Sequence, residues 1–104
     1  MDNVQAFQAD VIEALKMVYD PEIPINIYDL GLIYNIDVKN RGNVHITMTL
    51  TTPNCPEAQL IPIQVREAVN QYVPGAKEVE VDLVWEPSWH YGRMSEDARL
   101  ALGL

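Results

Sequence analysis

The chain has 104 residues, 48% of them hydrophobic, and its seven Lys and Arg stand against fifteen Asp and Glu for a formal charge of -8. That length suits one domain over residues 1–104 that buries its own core, with no room for a second. The acidic balance repels phosphate backbones and anionic lipid, and no long apolar run is present, which argues against nucleic acid and membrane as partners.

The opening "MDNVQAFQADVIEAL" carries acids where a secretory leader carries basic residues, so a cytoplasmic protein is expected. Its Val4, Phe7, Val11, Leu15 and Val18 recur at helical spacing and predict a first helix, stopped at "DPEIP" by Pro21 and Pro24. After "YDLG", Leu32, Tyr34, Ile36 and Val38 alternate with Ile33, Asn35, Asp37 and Lys39. "NRGN" turns the chain, and Val44, Ile46, Met48 and Leu50 alternate with His45, Thr47 and Thr49, predicting an antiparallel hairpin with one apolar and one largely polar face. Ile61, Val65, Ala68, Val69 and Tyr72 predict a second long helix ended by "VPGA", in which Pro62 requires a late start or a kink. Val79, Val81, Leu83 and Trp85 predict a third strand with Trp85 in the core. "MSEDARLALGL" predicts a short helix with Ser95 as N-cap, Glu96 and Asp97 in its first turn and Gly103 at its end. The fold class is α+β: a two-layer domain, helix-strand-strand-helix-strand-short helix, its small antiparallel or mixed three-stranded sheet covered by helices on one face.

Polar residues gather at element ends, in "YDPEIP", "TTPNCP" and "WEPSWHYGRM". The second of these holds Cys55, the one cysteine of the chain. If Pro56 opens the helix, Cys55 is its N-cap, and unpaired N–H groups there favour a thiolate. The competing reading is a small buried apolar residue, and position alone leaves both open. A cysteine nucleophile would need an oriented base, yet neither histidine is placed near Cys55 by the sequence and no Ser-His-Asp or phosphate-loop pattern exists, so an enzyme is not expected. His45 reads as a surface residue of its strand, His90 has no cysteine partner near it in sequence, and Asp29 reads as a support for the turn into the first strand.

Three blocks in order, "DPEIPINIYDLGLIY", "MTLTTPNCP" and "LVWEPSWHYGRMSEDARLALGL", resemble the SufT and PaaD type of metal-sulfur cluster assembly domain, a family linked to maturation of iron-sulfur proteins. The likeness runs from Tyr19 to the C-terminus and implies the same element order. It also implies that Cys55 is the functional thiol and a transient metal ligand, with Asp20 and Glu22 of the "DPE" block, and Thr51 and Thr52 beside the thiol, in support. For Asp20 and Glu22, capping of local backbone is an equal alternative. Clusters normally take four protein ligands, and Ala58 stands where related scaffold domains have the second cysteine of a C-x-x-C pair. The resemblance therefore implies an adaptor or transfer factor with no stably bound cofactor. A transient iron-sulfur cluster would be shared with a partner or across a homodimer. Expected partners are iron-sulfur apo-proteins and cluster assembly or carrier proteins, met through Trp89, Arg93 and Met94. For Trp89, pinning of the C-terminal tail is the alternative. A rival function is accessory subunit of a phenylacetate-degradation-type multicomponent oxygenase.

Overall fold

The computed structural model describes residues 4–21, 23–39, 42–51 and 60–103. Helix α1 spans Val4–Leu15 and buries Val11, Ala14 and Leu15. The predicted continuation to Val18 is a tightened last turn rather than α-helix, since Met17 and Val18 donate to Ala14 and Leu15, three residues back (3.1 Å each). A short helix that periodicity did not reveal, α2, comes next at Ile27–Leu30. Its punctuation is nonetheless in the sequence. Asn26 is the N-cap and accepts from Asp29 N–H at 2.9 Å, and Gly31, with φ 84°, ends the helix by donating back to Ile27 and Tyr28.

Strands β1, Ile33–Lys39, and β2, Asn43–Met48, form the predicted antiparallel hairpin, with Ile36 opposite Ile46 and Asp37 opposite His45. Strand β3, Glu78–Leu83, joins the other side of β2 in parallel, Val44 opposite Val79, so the sheet is mixed with β2 at its centre. Parallel pairing requires a crossover, and α3, Ile61–Tyr72, supplies it. Pro62 lies in the first turn of α3, where its missing N–H costs no helical hydrogen bond. α1 and α3 pack on each other, and respectively on β1 and β3. Between them and the sheet sits the core of Val11, Leu15, Val44, Ile46, Met48, Val65 and Val69.

Three expected core or surface positions are corrected. Trp85 is 41% exposed, because β3 stops at Leu83 and is an edge strand with no neighbour to cover the residues beyond it. Tyr72, in the last turn of α3, is also exposed. Thr49, placed by alternation on the polar face, is buried along with Leu50, so alternation ceases to govern burial where β2 ends. The tail then makes a 3₁₀ turn at Tyr91–Arg93 and helix α4 at Glu96–Leu102. As expected, Ser95 caps α4 by accepting from Ala98 N–H (3.1 Å), and Gly103 closes it at φ 77°.

Candidate functional site at the carboxyl edge of the sheet

Because β2 and β3 are parallel, both deliver their C-terminal ends to one edge of the sheet, where β1 begins. Rigid strand ends that release loops in one place are where α/β sheets position functional groups. The segment leading to Cys55 leaves from this edge, and the chain is held firmly on either side of it. Leu50 before it and Ile61 after it are buried. Thr49 N–H donates to Leu32 O (2.9 Å) and Val84 N–H to Met48 O (2.8 Å), which ties the end of β2 to both neighbours.

The C-terminal block is fastened across the same edge. Tyr34 Oη donates to Pro87 O at 2.6 Å, Trp89 Nε1 to Leu30 O at 2.7 Å, and Ser95 N–H to Asp29 O at 2.8 Å. The Arg93 guanidinium lies 4.7 Å from the centre of the Tyr34 ring, a cation–π contact, while its Nε donates to Ser88 O. Trp89 and Tyr91 meet edge to face, with ring centres 5.2 Å apart. Gly31 completes the junction, for a Cβ there would stand 2.2 Å from Arg93 O.

The predicted site residues divide into three groups. Cys55, Glu22 and Thr52, together with Pro56 and Ala58, lie outside the described residues; Thr51 is half-buried at the start of that stretch. The described part of α3 begins after Leu60, so the expected placement of Cys55 at a helix N-cap also lies outside the described residues. Asp20 is 5% exposed, and its Oδ2 accepts from Ile23 N–H at 2.9 Å, the backbone-capping role weighed from the sequence. Of the expected partner contacts, Met94 is corrected outright. It is 4% exposed and belongs to the core, because the tail folds back on α2 instead of standing free. Trp89 is half-buried and pins the tail, and Arg93 is occupied by Tyr34 and Ser88. The residue that sequence reasoning missed is Tyr34, read only as part of the apolar alternation. No local signal marks it, since the acceptor of its hydroxyl, Pro87 O, lies 53 residues further along the chain.

The remaining polar residues act structurally. Asp29 Oδ2 accepts from Asn26 Nδ2 at 2.8 Å, so its side chain braces the N-cap of α2, on the other side of it from the turn into β1. His45 Nε2 and Asp82 Oδ2 pair at 2.6 Å across β2 and β3 on the solvent-facing side of the sheet. His90 Nδ1 accepts from Gly92 N–H and caps the 3₁₀ turn. Among the described residues, no three His, Cys, Asp or Glu side chains are arranged to hold a metal ion, and no helix is long and apolar enough to cross a membrane.

Known proteins share this arrangement along nearly its whole length. A Porphyromonas gingivalis Fe-S protein maturation auxiliary factor is 54% identical over 92% of this chain and 90% of its own. The Staphylococcus aureus Fe-S protein maturation auxiliary factor SufT is 40% identical over 85% of this chain and 99% of its own. Among solved structures, a domain of unknown function from Bacillus anthracis superposes with a TM-score of 0.89 at 39% identity, covering 96% of this chain and 94% of that one. Residues 8–83 match the family model described as iron-sulfur cluster assembly protein, and with that match, these identities and this fold, the chain belongs to the iron-sulfur cluster assembly protein family.

Proposed function

We propose that the chain serves maturation of iron-sulfur proteins as a non-catalytic adaptor or transfer factor, working through Cys55 on apo-proteins and cluster carriers in the cytoplasm. The observation that carries this reading is the 54% identity, over 92% of the chain, to an Fe-S protein maturation auxiliary factor. The cluster is cargo. One cysteine per chain supplies one thiolate where a cluster normally takes four protein ligands, so the remaining ligands come from the client, a small thiol or a second copy. Asp20, through Ile23, fixes the loop after α1, and the Tyr34, Trp89 and Arg93 contacts fix the tail. In this reading those residues build the platform, and the thiol does the exchange.

Cys55→Ser tests the reading. Serine preserves size but stays protonated at neutral pH and is a poor ligand for iron. The variant should melt like the parent and fail to restore iron-sulfur enzyme activity in cells lacking the protein. Full restoration by the serine variant would remove Cys55 from the mechanism. Capture of bound proteins with the parent chain addresses scope: many iron-sulfur proteins mark a general factor, and a single oxygenase complex marks a dedicated accessory subunit.

A further inference from the structure

The two edges of the sheet are treated differently. Val84 N–H points to Met48 O, and in a parallel ladder residues two apart share that direction. Glu78, Glu80 and Asp82 therefore turn their backbone groups toward β2, while Val79, Val81 and Leu83 turn theirs outward. On the opposite edge the same register sends Ile36 and Val38 outward from β1, and there α1 lies alongside, its Gln8 Nε2 donating to Ile36 O at 3.4 Å. The outward groups of β3 have no backbone partner among the described residues. Nor does the chain after β3 cover them, since it leaves for the β1 side, where Pro87 O meets Tyr34.

An edge left without backbone partners among the described residues invites another strand, and its side chains select which one. Glu78, Glu80 and Asp82 are exposed along one face. On the other face the apolar positions end in Leu83, 36% exposed, with Trp85 just beyond the strand. A second copy pairing antiparallel about Glu80 would set Glu80 against Glu80 and Glu78 against Asp82, like charges directly opposed, so this edge rejects its own kind. A strand with cations at alternate positions would set them beside the three carboxylates and its intervening apolar residues toward Leu83.

We propose that the outer edge of β3 is a docking site for an extended segment of a partner protein in which Lys or Arg alternates with apolar or β-branched residues. Main-chain hydrogen bonds to Val79, Val81 and Leu83 supply the attachment, and Glu78 and Glu80 supply most of the choice of sequence, since one oxygen of Asp82 is already paired with His45. This inference stands independently of the role assigned to Cys55.

The test uses the full chain and a short synthetic peptide alternating Lys and Arg with Val and Thr, against a control of the same composition with its charges grouped at one end. The alternating peptide should slow hydrogen exchange at the Val79, Val81 and Leu83 amides and perturb Trp85 fluorescence, and the grouped peptide should do neither. Glu80→Lys, a change at an exposed position that spares the ladder to β2, should weaken binding by about tenfold or more, because it sets like charges side by side. Val81→Pro removes one outward N–H without touching the β2 ladder and should abolish protection at its neighbours. If the alternating peptide leaves these amides unprotected, or binds equally well to Glu80→Lys, the edge is not a docking site.

Discussion

Gly31→Ala probes the junction on which the carboxyl edge depends. Gly31 sits at φ 84°, a conformation that costs an L side chain roughly 1–2 kcal/mol. Its Cβ would also stand 2.2 Å from Arg93 O and 2.7 Å from Arg93 C. Ordinary contact begins near 3.4 Å, so the backbone at Arg93 must retreat by about 1.2 Å. That retreat strains two neighbouring hydrogen bonds, Trp89 Nε1 to Leu30 O and Ser95 N–H to Asp29 O, each worth about 0.5–1.5 kcal/mol net. The combined loss is about 2–5 kcal/mol, a substantial part of the ~5–15 kcal/mol that holds a typical domain together. Gly103→Ala separates the two causes: Gly103 has φ 77° but nothing within 4 Å of a Cβ, so it should lose only the conformational part. Urea unfolding followed by circular dichroism measures both variants, and the Trp89 indole proton resonance reports whether its bond to Leu30 survives. Equal losses in the two variants, with the Trp89 resonance unmoved, would show that the Arg93 contact imposes no constraint on the fold.

Three further outcomes are expected. Met94→Ala should destabilise the chain by about 2–5 kcal/mol, as core truncations do, and deletion after Pro87 should be worse because it also removes buried Ala98; melting curves near the parent's would return the tail to the role of a free partner arm. Trp89→Phe should cost about 1 kcal/mol, from the indole hydrogen bond to Leu30 O, and raise hydrogen exchange in the tail ahead of the core; a uniform rise throughout the chain would contradict a local pin. Iron and sulfide assays on anaerobically purified monomer should find no full cluster per chain, and a stoichiometric one would contradict a shared-ligand cargo.

Periodicity made the element order legible because α1, α3 and the hairpin each bury one side: Val11 and Leu15, Val65 and Val69, Val44 and Ile46 point to a common core. It failed where burial is set by segments remote in sequence. Alternation alone extends β3 to Trp85, but an edge strand buries only what a neighbour covers. Met94 and Trp89 read as partner contacts in the sequence because part of what holds the tail is α2, whose Leu30 O accepts from Trp89 and whose Asp29 O accepts from Ser95 N–H, and a helix of four residues is too short to show a period. Of the candidate site, the capping role of Asp20 was legible because "DPEI" spaces a carboxylate to reach a backbone N–H three residues on. The bond from Tyr34 to Pro87 was not legible, for it spans 53 residues and no local pattern announces it.

The parallel pairing of β2 with β3 also orders events in time. β1 and β2 lie close along the chain, whereas the stretch that includes α3 separates β2 from β3, so the second pairing closes the longer loop and is expected later. Until then "EVEVDL" is an unpaired stretch of alternating valine and carboxylate, as it is when the chain leaves the ribosome. Stretches rich in β-branched residues aggregate readily when exposed, and charges set among them act as gatekeepers. Glu78, Glu80 and Asp82 thus guard the nascent chain against its own copies during the interval when valine alone would pair without discrimination.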